Sequence, residues 1–167
     1  MNKPYIPVRE IIFGLEDSLV STSGVVVGIA VGTENRYLVI LSAVVVIVVE
    51  SLSMAAGTYL SNKSEMEVAH TTKGIARKPL IDSLYMGVFY ILGGLISILP
   101  FFFFPVNSAI YYVIGLTVSV LFLVGYVKGS VAGTNKWKSG LEMSLISLSA
   151  AALGFLIGKL AAPYIAS

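Results

Sequence analysis

Cysteine is absent from the chain, and histidine occurs once, as His70. The first absence removes disulfides, thiolate metal sites and thiol nucleophiles. Thr22-Ser23-Gly24 has a superficial likeness to an intramembrane serine nucleophile. His70 falls in an extramembrane connection, however, so no Ser/His pair forms within a bilayer. A dyad of Asp17 and Asp82 has no supporting motif, and the chain is read as no enzyme. Charge is also scarce, at 12% of residues against roughly 25% in an average soluble domain. No basic groove with interleaved aromatics is present, which argues against nucleic acid as a partner. A cleavable signal peptide is not expected either: Pro4 and Pro7 precede the first apolar run, which carries acids and lacks a small-residue cleavage site.

Apolar residues make up 56% of the chain. They gather into five runs long enough to cross a bilayer as helices, at about 11–32, 37–60, 80–104, 108–128 and 140–162. The fold class expected is an all-α integral membrane protein, one membrane domain over 1–167. Short polar breaks join the runs, and only 61–79 is long and charged enough to hold structure outside the membrane. Lys3, Arg9, Lys63, Lys73, Arg77, Lys78, Lys128, Lys136 and Lys138 fall on one side of this arrangement, leaving Arg36 and Lys159 for the other. The basic side faces the cytoplasm by the positive-inside rule, so the N-terminus and 61–79 are expected inside and the C-terminus outside.

The first run contains an acid that demands a reason. At 1.5 Å per residue, Asp17 lies roughly 12 Å along a helix from Arg9, inside a hydrocarbon core about 30 Å thick. A carboxylate at that depth costs several kcal/mol unless it meets a cavity, a partner or an ion. Gly14, Asp17, Ser21, Gly24 and Gly28 recur at three- and four-residue steps, so small side chains share the acid's stripe as a helix-packing or dimer face. Glu16 points about 100° away and reads as interfacial. In the second run Glu50 and Met54 lie one turn apart, a hard and a soft donor that together suit a transition-metal ion better than Mg²⁺ or Ca²⁺. Glu65, Glu67 and His70 read either as a metal-collecting cytoplasmic mouth or as a solvated charged turn. Asp82 is expected in the first turn of the third span, complementing the helix dipole, and Pro100 is expected to kink or end that span.

The ordered set of Arg9 to Val20, Ser53-Met54-Ala55-Ala56-Gly57-Thr58-Tyr59-Leu60-Ser61, Gly93-Gly94-Leu95-Ile96 to Pro100, and the turn from Gly125 to Gly140 resembles the vacuolar iron transporter family. The resemblance covers nearly the whole chain. It implies a transporter of Fe²⁺ or Mn²⁺, exchanging the metal for protons and moving it out of the cytoplasm. It implies Asp17 and Met54 as lining residues of the metal path and a homodimer with the first spans near the two-fold axis; Glu50, one turn from the usual site of the family's second-span glutamate, either substitutes for it or does not. Metal ion, protons and membrane lipid are the partners expected, with no permanently bound cofactor. Small size and minimal loops point to a prokaryotic plasma membrane.

The chain departs from the family pattern at several places. Ser18 follows Asp17 where the family has glycine, Gly57-Thr58-Tyr59 stands where many prokaryotic members have Gly-Glu-Tyr, and Val46 occupies the usual site of a second-span glutamate. The acid-rich helices that plant members insert between spans two and three are missing. These departures favour an alternative: a non-transporting membrane scaffold or accessory protein that keeps the fold without the metal chemistry.

Overall fold

A computed structural model describes residues 5–69 and 77–165. The elements are α1 (Val8–Thr33), α2 (Arg36–Val68), α3 (Arg77–Ile98), α4 (Pro100–Phe103), α5 (Val106–Val131) and α6 (Lys136–Ile165). Five helical segments are long and apolar enough to cross a membrane, α3 and α4 together forming one of them. The chain is therefore an all-α integral membrane protein. The observed helices are longer than the apolar runs. α2 continues to Val68, so residues 61–68 of the expected 61–79 connection are helix. α3 begins by Arg77, which moves Asp82 out of the first turn where the sequence pattern put it.

Local chemistry explains the breaks. Glu34 adopts a left-handed conformation with φ 50° and returns its N–H to the Ala30 carbonyl, ending α1. The Asn35 side chain then accepts from the N–H groups of Tyr37 and Leu38, starting α2. Arg36 donates to the Phe102 carbonyl and ties this turn to α4. The third span is interrupted at Leu99, and Pro100, which has no N–H to donate, takes the first position of α4. Gly133, with φ 69°, turns the chain from α5 towards α6, where Asn135 accepts from the Lys138 N–H.

α1 is the central rod and packs on α2, α3, α5 and α6. One core joins Val26, Val27 and Ala30 of α1 to Val39, Ala43 and Ile47 of α2, with Ile98, Phe101 and Val113 closing it. A second core places Leu19 against Leu121 and Met143. Large apolar side chains such as Leu52, Leu123 and Leu160 point outward, as expected when the surrounding solvent is lipid.

Lipid offers helices no hydrophobic reason to associate, so close backbone approach must hold them together. α1 and α6 achieve it with aligned small residues. Gly24 meets Ala150, Gly28 meets Gly154, and Gly32 meets Gly158. A methyl group at Gly154 would overlap the Gly24 carbonyl, and one at Gly158 the Gly28 carbonyl. Gly14 faces a different neighbour: a methyl there would lie 2.8 Å from the Met86 carbonyl oxygen of α3. The small-residue stripe of the first span thus serves two helices, α3 at its beginning and α6 further along.

Candidate functional site

Asp17 is half-buried on α1, one turn before Ser21. The Ser21 hydroxyl and the Tyr90 hydroxyl of α3 lie 2.9 Å apart and share a hydrogen bond. Tyr90 is wholly buried; its polar tip finds Ser21, which is how a tyrosine is kept inside an apolar bundle. Glu50 stands exposed on the surface of the chain about midway along α2. Its charge reaches both Asp17 and the Tyr90 hydroxyl. Asp17, Glu50, Ser21 and Tyr90 therefore form one polar neighbourhood at membrane depth, built from α1, α2 and α3.

Met54 is placed one turn beyond Glu50, half-buried. It lines a cavity of about 370 Å³ with Glu10, Ser53, Thr58, Asn62 and Met86. Asp17 and Glu50 do not line that cavity. Within one protomer the three expected metal-path residues thus divide into a carboxylate pair and a thioether further towards the N-terminal end of α1.

Of the proposed mouth residues, Glu65 and Glu67 do not converge. Glu65 lines a cavity of about 660 Å³ at the N-terminal end of α1. Glu67 is paired with Lys63 at 3.7 Å along the same helix face. Two helical residues, about 200°, separate Glu65 from Glu67, so a helix carried through this segment turns them apart. His70 lies outside the described residues. Among the described residues, no three histidine, aspartate or glutamate side chains come together closely enough to hold an ion.

Three further groups have surroundings that the sequence reading did not give. Tyr90 carried no signal beyond a hydroxyl inside an apolar run. Asp82 is 2% exposed and accepts hydrogen bonds from the Tyr5 hydroxyl and the Asn62 amide, each at 2.9 Å. Partial burial, the hydrogen bond to Asp82, and the charges of Asp82 and Glu10 push the Tyr5 phenol up to about 12. Glu10 is 6% exposed and borders both cavities. The signal that would have found it was its spacing: seven residues, two helical turns, before Asp17 on one face.

The VIT family profile matches residues 8–77 and 70–159. An uncharacterized protein of Methanocaldococcus jannaschii is 28% identical over 169 residues, spanning 90% of this chain and 88% of its own. Vacuolar iron transporter 1 of Eucalyptus grandis is 23% identical over 212 residues, covering 91% of this chain and 85% of its own. The Arabidopsis thaliana protein of the same name is 22% identical with the same coverage.

Proposed function

The chain belongs to the VIT family, and from that premise we propose that it is a divalent transition-metal transporter, moving Fe²⁺ or Mn²⁺ out of the cytoplasm in exchange for protons. The observation that carries this reading is Asp17, a half-buried carboxylate in a membrane helix, with Glu50 in electrostatic range. Carboxyl groups must give up their protons to hold a metal. A cation binding at Asp17 requires its carboxyl to be deprotonated, and when the cation leaves the carboxylate is free to take up a proton. Ser21 and Tyr90 position polar hydroxyls beside Asp17 and give the ion or proton a path within an otherwise apolar bundle. Met54 supplies a soft donor that oxygen-only cations such as Mg²⁺ do not use.

Glu50 also supports a homodimer. Exposed on the protomer and about 21 Å along α2 from Arg36, it would face hydrocarbon if the protomer stood alone. A second copy covering this face, with the first spans near the two-fold axis, turns the exposed acid inward. Two copies would bring duplicate sets of Asp17, Glu50 and Met54 together, supplying the ligand number that one protomer lacks. A prokaryotic plasma membrane is the location we assign.

Proteoliposomes test the reading. Fe²⁺ or Mn²⁺ uptake driven by a pH gradient should fall to background in Asp17→Asn; uptake equal to that of the native chain would remove the site assignment. The scaffold alternative draws on the absence of a three-ligand cluster among the described residues and on Thr58 and Val46 at family glutamate positions. Calorimetric titration separates the two, since a scaffold takes up no Mn²⁺ or Fe²⁺ at any concentration up to the millimolar range.

A further inference from the structure

Glu10 is a buried acid with nothing attached to it. It is 94% shielded by the rest of the protein, yet among the described residues neither ion pair reaches it and no side-chain hydrogen bond ends on its carboxylate. Burying a carboxylate without a partner is strongly unfavourable. Its place in the first turn of α1 offsets only part of that through the helix dipole. Its oxygens are not among the fully enclosed atoms without a partner, so they open onto the two cavities that Glu10 borders, and a cation in that space would meet the charge.

The surroundings describe that ligand. Glu10 and Asn62 form part of the wall between the 660 Å³ chamber and the 370 Å³ cavity that holds Met54. Asp82 and Glu65 face the chamber as well. Asn62 uses its amide N–H on Asp82, which leaves its carbonyl oxygen uncommitted. Each Asp82 oxygen accepts one hydrogen bond and keeps a second lone pair. Among the described residues two cations, Arg9 and Lys78, also line the chamber against the three acids Glu10, Glu65 and Asp82, and the Lys78 ammonium sits 5.4 Å from the centre of the Tyr5 ring. The chamber therefore offers oxygen donors with an excess of negative charge. At about 30 Å³ of liquid volume per water, it has room for a cation together with much of its hydration shell. That room matters because among the described residues no three acids converge on one point here; water would complete the coordination.

We propose that this chamber is a binding site for a partly hydrated divalent cation, held by Glu10 directly and by Asn62 and Asp82 directly or through water, separate from the Asp17, Glu50 and Met54 site. Hard oxygen donors suit Mn²⁺ and Fe²⁺ in their aqueous form better than a stripped ion. Only the choice of cation rests on the transporter reading. Tyr5 lines the chamber and is held there by its bond to Asp82. The shared wall makes Glu10 the point where the ion trades water for protein ligands before meeting Met54.

Mn²⁺ titration of the purified full chain, with free metal read from its electron paramagnetic resonance signal, tests this. The native chain should show two classes of bound Mn²⁺. Glu10→Gln keeps the shape and removes the charge; it should weaken one class by at least about tenfold and leave the other. Asn62→Leu, which deletes the amide from the same wall and keeps the helix, should weaken the same class if Glu10→Gln does not fold. Asp17→Asn should spare that class and remove the other. Binding identical to the native chain in both Glu10→Gln and Asn62→Leu overturns the chamber site. A single class that disappears in Asp17→Asn also overturns it, while leaving the transporter reading intact. Conversely, a class sensitive to Glu10 and Asn62, together with pH-driven uptake unaffected by Asp17→Asn, upholds the chamber and removes the proposed transport site.

Discussion

Tyr90 joins the apolar packing of α1 and α3 to the polar neighbourhood of Asp17, so its hydroxyl can be removed while its ring stays. In Tyr90→Phe the Ser21 hydroxyl loses its partner, a loss of about 1 kcal/mol. The bundle should still assemble, and metal uptake in proteoliposomes should fall about fivefold; unchanged uptake would exclude the hydroxyl from the path. Tyr5 gives a pH signature. Its phenol is pushed from 10.0 up to about 12, so below pH 10.0 it is protonated whether the chain is folded or not. As the pH rises from there to about 12, the unfolded chain ionises and the folded one keeps its proton, so the stabilising contribution is complete below that window and is lost as the pH rises through it. The tyrosinate absorbance difference between the native chain and Tyr5→Phe should titrate near 12; a midpoint near 10 would mean that the bond to Asp82 is not made. At this scale the sequence was only half legible. An acid deep in an apolar run announces itself, as Asp17 did, because hydrocarbon tolerates it badly. Asp82 and Glu10 did not, since acids near helix starts are ordinary and only the tertiary fold brings Tyr5, Asn62 and a cavity to them.

Among the elements, α1 and α6 make the closest approach, through Gly28, Gly154 and Gly158. Gly154→Leu forces the two backbones apart and should destabilise the bundle by about 1–3 kcal/mol, the usual range for overpacking. The apparent Tm in detergent should fall accordingly. Gly115 has open space where a side chain would go, and Gly115→Leu should leave the Tm near that of the native chain. Equal effects at both positions would mean that the close approach is not what holds α6. The helices themselves were readable because each is apolar over a bilayer's width and the breaks carry polar or turn-forming residues such as Asn35, Pro105 and Gly133. Their ends were not. Residues 61–68 are mostly polar, and hydropathy cannot distinguish a helix that continues into water from a loop; the backbone hydrogen bonds that continue through Val68 leave no trace in composition. The stripe of small residues on α1 was visible, but its division between α3 and α6 depends on which helix passes where, and periodicity along one helix holds no such information.

For the whole molecule, the absence of cysteine makes the assembly directly testable. A single Ser53→Cys, on the α2 face that carries Glu50, should let a short bismaleimide reagent join two copies in the membrane. Leu123→Cys, on the outward face of α5, should not. The reverse pattern would place the partner copy elsewhere and leave Glu50 facing lipid. One dimension of the bundle then takes on a mechanical meaning. α2 has 33 residues and so measures about 50 Å, against a hydrocarbon core of about 30 Å. Glu50, Met54, Asn62 and Glu65 all ride on it, which makes it a lever with one arm in the bilayer and the other at the chamber. Twelve residues, roughly 18 Å, separate Glu50 from Asn62, so a tilt of about 10° pivoting at Glu50 carries Asn62 sideways by about 3 Å. That is as long as the hydrogen bond from Asn62 to Asp82, and the same stroke that adjusts the acid in the membrane would unlatch the chamber.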